Sequence, residues 1–215
     1  MTTYFVMDIE SIPLVTDEIR QEVADSIRVP GSYSKPETIQ NWEATVKPGL
    51  VEAELARGGL DATRGRLLAF TYSVDDDDPY CVMEDDEREL LQRAMHIISD
   101  MPAGTIYVGF NHAAFDLPFM RRRAWANGLP VPRRPYKVKP WDDCILDLML
   151  LWAPEREGRI SLDKLCRVLG VPSPKAGGFT GADVWPAYQD GAIGRIKEYA
   201  IADVVATREC WRIMR

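Results

Sequence analysis

Residues Thr3 to Glu10 form a short aromatic and β-branched run that stops before Pro13, and they predict a buried first strand. Arg66 to Val74 and Tyr80 to Met83 have the same character. The four aspartates 75–78 and Pro79 between them predict a hairpin with a solvated acidic tip. From Glu87 to Ile98 the period changes, and Leu90, Leu91, Ala94, Met95 and Ile98 fall on one helical face. Pro102-Ala-Gly104 then leads into a further core strand, Thr105 to Phe110. Helical patterning returns from about Ala114 to Asn127 and from Ser161 to Leu169, where Ser161 offers a cap. It returns last from Ala192 onward, with Ile193, Ile196, Ala200 and Val204 as the apolar stripe.

Residues 14 to 64 differ. Polar helical patches there are punctuated by Pro30-Gly31, Lys35-Pro36, Pro48-Gly49 and Gly58-Gly59, which predicts an excursion of small helices without a core of its own. Strands come early and helices accumulate later. The expected architecture is one α/β domain over residues 1–215 with a mixed sheet, and no internal repeat is present.

Composition narrows this picture. With 215 residues, 46% of them hydrophobic and 27% charged, the chain is of ordinary globular make-up, and at this size roughly 70% of the unfolded surface is buried on folding. Four cysteines stand singly, with neither CxxC nor zinc-ligand spacing, and are expected as reduced, buried thiols. Met1 to Asp8 lacks a basic region followed by an apolar stretch, and the apolar run Cys144 to Ala153 is interrupted by Asp147. A cytoplasmic protein without membrane contact is expected. The net charge of -7 argues against a generic nucleic-acid coat. Yet Arg121, Arg122, Arg123, Arg133, Arg134, Lys137 and Lys139 lie between Leu117 and Trp141 with no acidic residue before Asp142, a local strip able to hold a polyanion.

Candidate chemistry begins with Asp8 and Glu10, which strand alternation directs to one face. Alone, such a pair is a weak signal and reads more readily as a solvated strand end. Asp116 follows the Gly/Asn turn Gly109-Phe-Asn-His112 at the start of a helix, where the dipole alone stabilises a carboxylate by ~0.3–1 kcal/mol. Tyr199 and Asp203, four apart, share one face of the last helix beside its apolar stripe, so Asp203 is expected to be partly buried. Asp147 is expected to cap the helix that follows it, with a supporting role in the site as the alternative.

Taken jointly, Phe5-Val-Met-Asp-Ile-Glu10, Gly109-Phe-Asn-His-Ala-Ala-Phe-Asp116 and Tyr199-Ala-Ile-Ala-Asp203 resemble the three motifs of the DEDD superfamily of 3′–5′ exonucleases. The likeness is to the tyrosine subclass, and to stand-alone relatives of the proofreading domain of family-B DNA polymerases. Position 198, where the histidine subclass would carry its histidine, is Glu. The resemblance implies an RNase H-like fold with a central mixed five-stranded sheet. It implies two divalent ions, Mg²⁺ or Mn²⁺, held by Asp8, Glu10, Asp116 and Asp203, with Asp8 bridging both. Tyr199 would orient the attacking water, and Asn111 and Phe115 would meet the substrate terminus. The implied substrate is a nucleic acid 3′ end, DNA rather than RNA and preferably single-stranded; an exoribonuclease and a noncatalytic binding module on the same fold are the alternatives. The acidic balance further suggests weak, salt-sensitive substrate binding.

Overall fold

The computed structural model describes residues 2–136, 143–155 and 157–215. In chain order the elements are β1 (Tyr4–Pro13), α1 (Asp17–Ser26), α2 (Pro36–Thr45), α3 (Lys47–Arg57), β2 (Gly65–Val74), β3 (Tyr80–Val82), α4 (Glu87–Ser99), β4 (Ile106–Gly109), α5 (Asp116–Ala126), β5 (Ile145–Asp147), α6 (Leu148–Trp152), α7 (Leu162–Leu169), α8 (Val184–Gln189) and α9 (Ile193–Met214). The chain divides into two compact units, one made of Met1–Glu10 with Leu67–Arg215, the other of Ser11–Arg66.

The five strands form one sheet in the order β3-β2-β1-β4-β5. β1 is therefore central. It runs parallel to β4, with Val6 opposite Val108, and β4 runs parallel to β5, with Gly109 opposite Asp147, while β2 and β3 pair antiparallel as the expected hairpin. The mixture follows from connection length: five residues join β2 to β3, whereas parallel neighbours need a crossover.

Both faces of β1 are covered, which explains why its sequence is apolar at consecutive positions rather than alternate ones. Phe5 stacks on Tyr72 at 5.2 Å and meets Tyr107 at 5.6 Å on one face. On that side the Tyr107 hydroxyl donates to the carbonyl of Ile98 at the end of α4. On the other face Val6 packs with Val108, Leu165 and Cys166 of α7 and Val204, Cys210 and Trp211 of α9. All five apolar positions expected on α4 are buried, and Ser161 accepts the Lys164 N–H as the cap of α7. All four cysteines are buried.

The second unit departs from expectation, because it holds an apolar cluster of its own: Val23 of α1 with Val51 and Leu55 of α3, flanked by Ile19, Ala24 and Ile27. Ile19, Val23 and Ile27 recur every four residues, as do Val51 and Leu55, so each helix presents a narrow stripe that the polar average of the segment conceals. Two other expectations are corrected. Ile193 is exposed, since it opens α9 one turn before the buried stripe begins at Ile196. The acidic hairpin tip is exposed, as expected, and is also tethered: Asp75 accepts the Tyr4 N–H at 2.8 Å, Asp76 pairs with Arg212, and the Asp77 carbonyl accepts from Arg208 at 2.6 Å. Arg123 is buried rather than available to a ligand. Of the basic strip, Lys137 and Lys139 lie outside the described residues. Among the described residues no helix is long and apolar enough to cross a membrane.

Arg123 is paired with Glu87, and the same carboxylate ties three elements together. It takes the Leu67 N–H of β2 at 2.6 Å, Arg123 Nε of α5 at 2.9 Å, and the Asn127 side-chain amide at 3.1 Å. Removing one partner of a buried pair leaves the other charge desolvated. Glu87→Ala is expected to cost about 3–5 kcal/mol in chemical denaturation, and Arg123→Met with Glu87→Leu together distinctly less than the single change.

Candidate active site

The face of β1 that packs on α9 begins apolar and ends acidic. Tyr4 meets Trp211 at 5.5 Å between ring centroids, Val6 meets Val204 and Cys210, and the next two residues on that face are Asp8 and Glu10. On α9, Tyr199 and Asp203 lie within the buried stripe rather than beside it, each about 9% exposed. The carboxylates of Asp8, Glu10 and Asp203 converge, each offering an oxygen within 4.8 Å of the other two. Strand alternation supplies two of these groups and a four-residue helical spacing the third, together with its neighbour Tyr199, whose hydroxyl hydrogen-bonds Asp203.

Asp116 reaches the same strand by a different route. β4 ends at Gly109, short of the level of Ile9. The Thr3 carbonyl accepts the Ile106 N–H, so the two-residue repeat directs the Ile9 N–H towards the same edge, past the end of β4. Asp116 fills that gap: its Oδ1 accepts the Ile9 N–H at 3.1 Å, across a separation of 107 residues. The carboxylate is 3% exposed and is anchored on the residue between Asp8 and Glu10, but it lies outside the three-carboxylate convergence.

The turn that delivers Asp116 is held from β5. Asp147 accepts the Asn111 N–H at 2.8 Å, the Ala113 N–H at 3.0 Å and, as the cap of α6, the Met149 N–H at 3.0 Å. It thus caps the helix as expected and also holds the turn that carries Asp116. Asn111 takes a left-handed conformation with φ of 60°, a geometry asparagine tolerates better than most residues. His112 is fully buried, with Nε2 3.2 Å from the Tyr107 carbonyl and Nδ1 3.7 Å from Asp147. Its ring occupies the space beside Gly109, where an added Cβ would come within 2.4 Å of Cγ. His112 is accordingly part of the turn and not a surface group.

Like charges in a dry setting govern the electrostatics. Burial, then the charges of Asp116, Asp203 and Glu10, pushes the Asp8 carboxyl well above its ordinary range, and Glu10 is raised by burial, Asp203 and Asp116. Burial raises Asp116 to about 6 against the opposing influence of His112 and the backbone N–H bonds. Asp203 is also raised by burial to about 6, although the Tyr199 hydroxyl and the Lys175 ammonium oppose the shift. The Tyr199 phenol is pushed up by burial and by Asp203, Glu10 and Asp8, so it keeps its proton throughout the neutral range. Asp147 behaves oppositely. Burial raises it, but His112 and the Ala113 and Asn111 N–H groups outweigh burial and hold it below the usual carboxylate range.

Of the remaining candidates, Phe115 is half-buried and meets Phe119 at 5.6 Å, while Phe119 itself belongs to the core. Asn111 and Phe115 both lie in the turn just ahead of Asp116. Two groups escaped the sequence reading. Phe179 packs on Tyr199 at 5.2 Å, and Arg195 lies over Phe179 at 5.2 Å, so the loop before α8 braces the tyrosine from behind. A loop residue has no periodicity to announce this.

The raised carboxylates carry a pH signature. A carboxyl near 6 in the folded chain and near 3.8 unfolded binds protons more tightly when folded, so the contribution of Asp203 to stability is fullest below about pH 4 and is lost as pH rises through 6. For the metal-free protein, Asp203→Asn is expected to flatten that decline and to raise stability at pH 8 by about 1–3 kcal/mol. Denaturation midpoints measured from pH 4 to 8 on both proteins, in the presence of chelator, check it.

Residues 80–214, more than half of the chain and including Asn111, Asp116, Tyr199 and Asp203, match a family described as "Predicted 3'-5' exonuclease related to the exonuclease domain of PolB". No curated protein sequence matches the chain. Among solved structures, the family B DNA polymerase of the hyperthermophilic archaeon Pyrobaculum calidifontis superposes with a TM-score of 0.64 at 17% identity, covering 99% of this chain and 24% of the polymerase. Exonuclease I of E. coli in complex with a dT13 oligonucleotide superposes with a TM-score of 0.51 at 12% identity, covering 99% of this chain and 41% of the exonuclease. The chain thus spans about a quarter and two fifths of these two proteins. The fold they share with it is the RNase H-like α/β fold. The match over residues 80–214 settles the lineage: the chain belongs to the family of predicted 3′–5′ exonucleases related to the exonuclease domain of PolB.

Proposed function

We propose that the protein removes nucleotides one at a time from the 3′ end of single-stranded DNA by metal-assisted hydrolysis. Asp8, Glu10, Asp116 and Asp203 are the metal-holding carboxylates and Tyr199 orients the attacking water. The observation that carries this reading is the convergence of Asp8 and Glu10 of the central strand with Asp203 of α9, within 4.8 Å, in an exonuclease-like fold. Three desolvated like charges with oxygen donors alone suit a hard divalent cation, Mg²⁺ or Mn²⁺, better than zinc. When bound, two such ions would neutralise charge on the scissile phosphate and make water a better nucleophile at neutral pH.

The chain's own groups supply the geometry. Because Tyr199 keeps its proton, its hydroxyl serves as a hydrogen-bond donor and not as a base, held by Asp203 on one side and Phe179 on the other. Asp116, fixed to the Ile9 N–H, sets its distance from Asp8 through the strand backbone. Asn111 and Phe115 are assigned to the terminal nucleotide, the amide to its sugar and the ring to its base. The kinship with PolB and the dT13 bound by exonuclease I support DNA over RNA as substrate.

A time course on 5′-labelled DNA and RNA oligomers with Mg²⁺, Mn²⁺ or EDTA tests the reading. The expected result is a metal-dependent ladder shortening from the 3′ end, faster on DNA, lowered at least about 10³-fold by Asp8→Ala and about 10²-fold by Tyr199→Phe. A ladder on RNA alone would reverse the sugar preference; no ladder on either polymer would remove the reading.

A further inference from the structure

α5 begins at Asp116 and runs to Ala126. Leu117, Phe119, Met120, Arg123 and Ala124 are buried along its inner side. Phe115, Pro118, Arg122 and Trp125 recur at spacings of three, four and three, so they share the opposite face, with Arg121 beside them. Trp125 is 56% exposed. An indole left in water forgoes the favourable burial that its large apolar surface offers, and this one sits on a helix otherwise well packed. The Arg121 guanidinium lies 5.4 Å above its ring, and Arg122 is exposed next to it. Among the described residues of α5, none on this face is acidic. In a protein of net charge -7, that is a local excess of the opposite sign.

We infer that the outer face of α5 is a surface for single-stranded nucleic acid, carrying the nucleotides immediately 5′ of the reacting end; this rests on the exonuclease reading above. Phe115 is the end nearest the carboxylates, and Trp125 lies ten residues on, about 15 Å at ~1.5 Å per residue. That length matches about four stacked nucleotides at ~3.4 Å each. Trp125 stacks on a base, an interaction open to every base because each has a π face, while Arg121 and Arg122 neutralise the flanking phosphates. The occupant is a polyanion with aromatic faces, which is what exposed Arg122 and half-buried Arg121, itself donating to the Tyr136 carbonyl, complement around an exposed indole. A protein partner would have to be acidic and aromatic at once along one narrow helix.

The test is equilibrium binding by fluorescence anisotropy of 5′-labelled dT12 and dT3 in EDTA, so that binding is read whether or not the protein cuts. Trp125→Ala and Arg122→Ala are each expected to weaken dT12 binding about 10-fold, with Trp125→Phe within about threefold of wild type and dT3 binding little changed. Raising the salt concentration should weaken dT12 binding less steeply in Arg122→Ala than in wild type. Unchanged dT12 affinity in Trp125→Ala would overturn the inference, as would self-association of the wild type that Trp125→Ala abolishes. Hydrolysis of the p-nitrophenyl ester of thymidine 5′-monophosphate, which has no upstream nucleotide, is measured alongside. A wild type that binds dT12 through Trp125 but hydrolyses neither ester nor oligomer would refute the exonuclease reading and leave the surface standing. A Trp125→Ala protein that loses ester hydrolysis and dT3 binding equally would reduce Trp125 to a structural residue.

Discussion

Bringing carboxylates together in a dry place is unfavourable, and the first unit is organised around making it tolerable. Asp8 and Glu10 cannot separate, because adjacent same-face positions on a strand are fixed by the pleat. Asp203 cannot withdraw, because the α9 residues that follow it, Val204, Cys210 and Trp211, are packed with Val6 of β1. The fold therefore holds a concentrated negative charge that the unfolded chain would disperse, and it does so with apolar packing at one end of the strand and the acidic groups at the other. This is the usual relation between a site and its scaffold: local strain held by contacts made elsewhere.

The second support is hydrogen bonding at the point where β4 stops. A strand that ends early leaves its neighbour's N–H without a partner, and Asp116 and Asp147 divide that task between β1 and the turn. Two carboxylates close in space consequently have opposite character. Asp147, surrounded by donors, is a stable anion, whereas Asp116, with one strand N–H and a desolvated setting, is poised near neutrality. The difference comes from the deeper burial of Asp116 and the larger set of donors around Asp147, His112 among them, and the residue type has no part in it.

Much of this was legible in the sequence, for identifiable reasons. Period-two and period-3.6 patterns gave the hairpin, α4, α7 and the direction shared by Asp8 and Glu10, because those signals depend on near neighbours in the chain. The bond from Ile9 to Asp116 depends on where β4 ends in space, which no local pattern records. Arg123 looked like its neighbours Arg121 and Arg122 until Glu87, thirty-six residues away, proved to be its partner. Ile193 failed for the opposite reason: it fits the helical period but stands at the helix start, where there is nothing to pack on. The core within residues 11–66 was hidden because two narrow stripes were averaged with a polar surround.

Gly109 and His112 form a single fitted joint between β4 and the turn, with the imidazole filling the volume that a missing side chain leaves. Such a joint constrains how the sequence can drift. A side chain at 109 is admissible only after 112 has become smaller, and a smaller residue at 112 opens a void unless 109 has already grown. Each single step is penalised in packing, and the paired step restores the volume while still giving up the imidazole's contacts with Asp147 and the Tyr107 carbonyl, so these two positions should change together across descendants or not at all.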